Sequence, residues 1–95
     1  MKAIFTDFGT ESNWVTGTCE GHTFHAKLFD TPSEFGIKNG RVSKFSLCLN
    51  SNRSRCIINY DRGWDLKPTK ENREIFDVIM KLLENSPKRF ENESE

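Results

Sequence analysis

Apolar and polar residues alternate along the first half of the chain, which is the pattern of β-strands with one buried face. Residues 14–19 and 23–29 are two such runs. Glu20-Gly21 between them is a two-residue turn with glycine second, a strong hairpin signal. In this hairpin Gly17 lies opposite Phe24 and leaves room for its ring. The predicted core face carries Val15, Gly17, Cys19, Phe24, Ala26 and Leu28.

A second hairpin is predicted around Asn39-Gly40, a type I′ turn signal. It joins a short strand at residues 35–38 to a longer strand at residues 41–49. A further strand is expected at residues 55–61, after a loop at residues 51–54.

Burial fixes the register between these last two strands, because a slip by one residue would turn apolar side chains to solvent. The expected pairs are Leu49 with Cys56, Leu47 with Ile58, Phe45 with Tyr60, and Lys44 with Asp61. This register puts Cys48 and Cys56 on opposite faces, so we expect no disulfide between them. Three cysteines without a CxxC motif then predict free thiols.

One helix is predicted near the C-terminus. Pro68-Thr69 begins it, with Thr69 as N-cap, and the Asn-Ser-Pro sequence at residues 85–87 ends it. Its apolar stripe consists of Ile75, Phe76, Ile79, Leu82 and Leu83. The predicted fold class is therefore α+β: an antiparallel four- to five-stranded sheet of hairpins, with one C-terminal α-helix packed on one face.

The length of 95 residues predicts a single domain, residues 1–95, with its core at about residues 14–84. Residues 1–13 form an N-terminal extension or an edge strand. Residues 87–95 form an acidic tail, expected to fray unless Phe90 docks. No apolar run approaches the ~18 residues of a membrane span, and the N-terminus lacks the apolar segment of a secretion signal. We therefore expect no membrane contact and a cytoplasmic location.

Charge is distributed unevenly along a chain whose net charge is zero. Residues 36–67 hold seven Lys and Arg against two Asp, a net charge of +5. Such a region is either an ordinary solvated surface or a binding surface for phosphate or an acidic protein.

The sequence gives little support to catalysis or metal binding. Cys19-x-x-His22-x-x-His25 resembles a ligand set, but His25 points to the other face of the hairpin, and structural zinc needs four converging ligands. No serine lies in a nucleophile elbow, and the pattern buries Cys19. We therefore predict no enzyme activity, no metal and no cofactor.

The face of the sheet that points away from the core is the more promising surface. It is predicted to carry Trp14, His25, Lys27 and Lys44 among small polar side chains. Two alternatives stay open: this face binds a ligand, or the N-terminal segment or a homodimer partner covers it.

Residues 58–68, INYDRGWDLKP, combine two aromatic residues with two acids and two bases. A structural interpretation explains most of them: Gly63 permits a positive φ that redirects the chain, and Asp61 pairs with Lys44. Arg62 is the residue that this interpretation explains least, since a turn does not require a guanidinium. A binding site is the alternative.

The sequence contains four motifs: Trp14-Val15-Thr16-Gly17, Ser33-Glu34-Phe35-Gly36-Ile37, Gly40-Arg41-Val42-Ser43-Lys44 and Asn59-Tyr60-Asp61-Arg62-Gly63-Trp64-Asp65. As a set, they resemble a family of small uncharacterised proteins of bacteriophages and prophages of Gram-positive bacteria. The resemblance covers about residues 14–83. It implies no catalytic residues. It implies an accessory protein of the host cytoplasm that binds and inhibits a host defence or regulatory component, which is an argument by analogy.

The predicted function is therefore a non-enzymatic binding protein directed at a host protein or complex. The alternative is binding of nucleic acid or a signalling nucleotide through residues 36–67. The residues predicted to make contact are Trp14, His25, Lys27, Lys44, Arg62 and Trp64.

Overall fold

β-strands occupy most of the chain up to residue 66, and each pairs with the strand before it. The structure, a computed structural model, describes residues 1–49 and 55–90. Its elements are β1 (Ala3–Asp7), β2 (Trp14–Cys19), β3 (His22–Leu28), a 3-10 turn (Ile37–Asn39), β4 (Val42–Leu49), β5 (Cys56–Asp61), β6 (Trp64–Leu66) and α1 (Arg73–Glu84). The strands form one antiparallel sheet in the order β1-β2-β3-β4-β5-β6.

The predicted α+β class, an antiparallel sheet with one C-terminal helix, is confirmed. The predicted count of four to five strands is wrong, because the sheet has six. The two edges account for the error: β1 adds a strand beside β2, and β6 is a strand of three residues. Strands as short as β6 leave too few alternating positions to detect in a sequence.

The core lies between α1 and one face of the sheet, and the predicted β2–β3 face is its centre. Phe24, Ala26 and Leu28 are fully buried, and a Cβ atom at Gly17 would collide with the Phe24 ring. Neighbouring aromatic centroids lie 4.8–6.5 Å apart along a continuous series that crosses the molecule. The series is Phe8, Phe5, Phe24, Phe45, Phe76, Trp64 and Tyr60.

The register between β4 and β5 is confirmed for three of the four expected pairs. Leu47 pairs with Ile58, Phe45 with Tyr60, and Lys44 with Asp61. The fourth is wrong, since Cys48 rather than Leu49 pairs with Cys56. The predicted loop at residues 51–54 lies outside the described residues.

A β-bulge explains this error and one more. β5 carries one extra residue, Ile57, between the partners of Leu47 and Cys48. The extra residue shifts the alternation by one position, which brings Cys56 beside Cys48. The two cysteines form a disulfide, so the expectation of three free thiols is also wrong, and Cys19 is the free cysteine of the described residues.

Residues 33–40 form a compact loop instead of the predicted strand and type I′ turn. Lys38 and Asn39 are the residues with positive φ, 53° and 57°, so the chain reverses one position earlier than predicted. Ile37 is buried in the core and draws the segment inward. The loop closes through backbone bonds, including Gly40 N to Ile37 O at 2.9 Å.

The helix begins later than predicted. Its N-cap is Asn72 rather than Thr69. The Asn72 side chain is turned back along the chain, and its Oδ1 accepts a hydrogen bond from Thr69 N at 2.6 Å. This bond stabilises the turn at residues 69–72 that precedes the helix. The predicted end is confirmed, with Glu84 as the last helical residue.

Arg41 fastens the C-terminal end of α1 to the sheet. Its Nε donates to Phe29 O at 2.8 Å, and its Nη1 donates to Glu84 O at 3.2 Å and Ser86 O at 2.6 Å. The Arg41 amide donates to Glu84 Oε2 at 2.9 Å. A cation at the carbonyl end of a helix is favoured by the helix dipole.

Arg89 fastens the C-terminal segment to the loop after β1. Its guanidinium donates to Phe8 O, with Nη1 at 2.9 Å, and to Leu28 O. The amides of Arg89 and Phe90 donate to the two carboxylate oxygens of Asp30 at 2.9 and 2.8 Å. The chain is therefore in contact with the rest of the fold up to Phe90, the residue for which docking was the stated alternative to fraying. Residues 91–95 lie outside the described residues.

Candidate functional site

Two lysines occupy facing positions on the outer side of the sheet. Lys27 on β3 and Lys44 on β4 are direct cross-strand partners. Both alternate with buried neighbours, so their side chains leave the sheet on the face opposite α1. Like charges in such positions repel each other, and packing of the core does not require them.

Arg62 adds a third cation next to this pair. It follows β5 in a left-handed backbone conformation with φ of 57°, and its amide donates to Ser43 O at 3.0 Å. The prediction that Gly63 carries the positive φ is therefore wrong. The turn places this conformation on Arg62, whose side chain stays largely exposed beside Lys44.

Among the described residues, the Asp61 carboxylate forms ion pairs with two of these three cations, Lys44 and Arg62. Its Oδ1 lies 3.9 Å from Lys44 Nζ and 3.4 Å from Arg62 Nε. Both pairs are solvated, which makes each of them weak. Three cations against one carboxylate leave a local net charge of +2.

The three cations line an open recess of about 400 Å³, which we call the basic recess. Its remaining lining consists of Phe29, Thr31, Pro32, Ser33, Phe35 and Ser43. Lys27 Nζ lies 5.6 Å from the centroid of the Phe29 ring, and Phe35 is 54% exposed. The recess therefore combines positive charge with aromatic surface that the core does not use.

Trp14 and His25 lie on the same outer face but line a different, smaller depression of about 240 Å³. His25 Nδ1 lies 3.3 Å from Thr16 Oγ1, and Trp14 is exposed. Lys44 borders both cavities and connects them. The outer face thus brings together five of the six residues predicted to make contact.

Trp64 is the exception. Its ring centroid lies 4.8 Å from that of Tyr60 and 5.7 Å from that of Phe76, so it belongs to the helix side of the sheet. Lys67 and Arg73 border the groove beside it. The structure does not bring Trp64 to the outer face.

The basic region at residues 36–67 is not a single surface. Arg41 is buried under the end of α1, while Lys38 and Lys67 border the groove on the helix side. Lys44 and Arg62 are the bases of this region that line the basic recess. Their partner Lys27 lies outside the region, so counting charge along the sequence did not detect the cluster.

The other recess residues were missed for a definite reason. The hydrophobic pattern assigns Phe35 to a strand that does not form, Phe29 lies in no motif, and the motif that contains Ser43 implies no contact role for it. Only the cross-strand pairing of Lys27 with Lys44 indicates the cluster, and this pair is the last of the regular register, before the bulge between Lys27 and Leu28.

The candidate nucleophile and metal ligands are arranged unfavourably for chemistry. Cys19 is 1% exposed, and burial raises the pKa of its thiol, with a further contribution from Glu20. His22 Nδ1 is 2.9 Å from Glu20 O. Within residues 1–49 and 55–90, no cluster of three or more His, Cys, Asp or Glu is arranged to hold a metal ion.

Fold and site define a small α+β protein with a cationic recess on the open face of its sheet. The chain belongs to the family described as a domain of unknown function (DUF7678), which matches residues 13–84. Neither a curated protein nor a solved structure matches the chain. In the described part of the chain, no helix has the length and apolar character needed to cross a membrane.

Proposed function

We propose that this protein is a non-enzymatic binding protein that attaches to an acidic surface of another protein through the outer face of its sheet. The observation that carries the proposal is the convergence of Lys27, Lys44 and Arg62, with a local net charge of +2, on an exposed surface. Opposite charge across an interface speeds encounter and selects the partner.

The uncharged side chains of the outer face favour the proposal that the partner is a protein. Beside the cations lie Trp14, 43% exposed, and His25, with Ser46 and Asn59 in the same depression. An exposed tryptophan is a typical anchor of a protein interface, where aromatic residues and arginine are enriched.

β1 lies at the edge of the sheet and not across its outer face. It pairs edge to edge with β2, from Ala3 opposite Cys19 to Asp7 opposite Thr16. The strand extends the sheet sideways, and it leaves the outer face open to a partner.

The resemblance to small bacteriophage and prophage proteins suggests the kind of partner. We propose a protein of the bacterial host, in its defence or regulatory machinery, that is blocked when its acidic surface is covered. This step rests on analogy with the family, whereas the charge argument rests on the residues.

Capture from host lysate tests the proposal. The tagged protein and a Lys44→Glu/Arg62→Glu variant are compared by mass spectrometry, with and without nuclease. We expect a stoichiometric, nuclease-resistant host protein with the wild type, and recovery lower by about tenfold or more with the variant.

A matched control reverses two exposed lysines elsewhere, Lys70→Glu/Lys81→Glu, with the same change in net charge. The control should capture the partner as the wild type does, and circular dichroism should show all three proteins folded. Equal recovery with both double variants would refute the role of the recess. Recovery of nuclease-sensitive material alone would replace the protein partner by nucleic acid.

A further inference from the structure

We infer that the basic recess is also a ligand site of its own, for a mononucleotide: one phosphate group joined to one aromatic base. This inference goes beyond the proposed function, because it requires no partner protein and concerns a small molecule held by the isolated chain.

The charge of the recess matches one phosphate group. A phosphomonoester carries about −1.5 to −2 at neutral pH, and the three cations together with the neighbouring Asp61 sum to +2. A phosphate seated between Lys27 and Lys44 would relieve their mutual repulsion. Arg62 adds a planar guanidinium, which binds two phosphate oxygens at once.

The aromatic part of the recess matches a base. Phe29 and Phe35 both line it, and the Phe35 ring is held out of the core by its backbone. The main-chain amide of Phe35 donates to Ser33 Oγ at 3.2 Å, and its main-chain carbonyl accepts a hydrogen bond from the Tyr60 hydroxyl at 3.0 Å. These bonds fix the backbone of Phe35 and thereby keep its exposed side chain at the recess, and stacking on phenylalanine accepts any base.

The volume of the basic recess and the residues around it favour a single nucleotide over single-stranded nucleic acid as the ligand. The volume of about 400 Å³ lies in the range of small-molecule sites, roughly 300–1,000 Å³. Sites for single strands need a continuous basic track along the backbone. The adjoining depression does not continue such a track, because Lys44, which it shares with the recess, is its one lysine and Asp61 lies beside it.

Titration calorimetry on the purified protein tests the assignment at fixed ionic strength. The probes are the four ribonucleoside 5′-monophosphates, adenosine and inorganic phosphate. We expect at least one monophosphate to bind about tenfold or more tighter than adenosine or phosphate alone, since it uses both halves of the recess.

Substitutions separate the two halves. Lys44→Gln should weaken binding of the monophosphate and of phosphate about tenfold. Phe35→Ala should weaken the monophosphate and adenosine while leaving phosphate unchanged. Lys81→Gln, an exposed lysine on α1, is the matched control and should change nothing.

Several outcomes would overturn the inference. These are no binding of any monophosphate at millimolar concentration, binding that neither Lys44→Gln nor Phe35→Ala weakens, and tighter binding of O-phosphotyrosine than of every monophosphate. Affinity for an oligonucleotide that grows with its length would assign the recess to a strand instead. Because none of these assays includes a host protein, their failure leaves the proposed protein interface standing, and failure of the capture experiment leaves the ligand site standing.

Discussion

Lys27 and Lys44 face each other across β3 and β4, two ammonium groups on one pair of hydrogen-bonded strands. Asp61 lies within ion-pair distance of Lys44 but is shared with Arg62. A sheet selected only for stability would place opposite charges or two threonines at such a pair. The pair is therefore expected to cost some stability, which is consistent with the binding role proposed for this face.

Replacing one lysine should stabilise the protein. We expect Lys27→Thr to raise the free energy of unfolding by about 0.2–1 kcal/mol, because it removes a like-charge pair and adds a residue suited to strands. Urea denaturation at low salt measures the change. Added sodium chloride should narrow the difference by screening the repulsion in the wild type. A variant less stable than the wild type at low salt would contradict this account.

Loss of the Arg89 side chain should destabilise the whole fold. Its guanidinium donates to carbonyls of the first loop and of β3, and burial lowers its pKa without removing its charge. Arg89→Ala should cost about 2–3 kcal/mol of unfolding free energy, because the freed carbonyls lose their charged donor.

The conservative variant sharpens this test. Arg89→Lys keeps the charge but cannot donate in several fixed directions, so it should recover less than half of the loss. Lys70→Ala, at an exposed site, should change stability by less than about 0.5 kcal/mol. Full stability of Arg89→Ala in urea denaturation would show that the Arg89 guanidinium does not stabilise the fold.

The cysteines can be counted by alkylation and mass spectrometry. The chain has three cysteines, of which Cys48 and Cys56 are joined and Cys19 is buried. Iodoacetamide should therefore add no label to the folded protein, one label after denaturation alone, and three labels after denaturation with reductant. Three labels without reductant would mean that the disulfide is absent.

Alkaline pH should weaken the fold through Cys19. Burial raises the pKa of its thiol above the ordinary value of 9.0, so the folded protein keeps a proton that the unfolded chain has lost. The contribution of the neutral thiol is complete below the ordinary pKa and declines as pH rises through the raised value. Between about pH 8 and pH 10.5, the wild type should lose more unfolding free energy than Cys19→Ala. Parallel pH profiles for the two proteins would disprove the coupling.

The centre of the fold could be predicted because burial determines it. Gly17 opposite Phe24, and Leu47 opposite Ile58, follow from the requirement that apolar side chains share one face. The same rule predicted Lys44 opposite Asp61. Where it failed, at Cys48 and Cys56, a single inserted residue had shifted the alternation, and a bulge leaves no mark on the pattern of hydrophobic residues.

The site could be predicted only in part, because it depends on loops. The expected face of the sheet indicates Lys27 and Lys44, and a guanidinium that no turn requires indicates Arg62. Phe35, in contrast, reaches the recess through a loop that hydrophobic alternation does not describe. The structure does not bring Trp64 to the predicted contact surface, because its ring is used by the core. Its position beside charged residues suggested a surface role, whereas its ring extends the aromatic core through Phe76.

The contacts of Arg89 show that the folded region extends beyond residues 13–84, which the family model matches. The family covers residues 13–84, yet Phe8 and Arg89, which hold each other, both lie beyond these limits. A fragment cut at the family boundaries would uncover the edge of β2 and lose the first two rings of the aromatic series. An uncovered strand edge invites pairing with other chains. The folded unit is thus longer than the stretch that the family model matches, and a fragment limited to residues 13–84 should be less stable and more prone to pair through β2 than the longer chain.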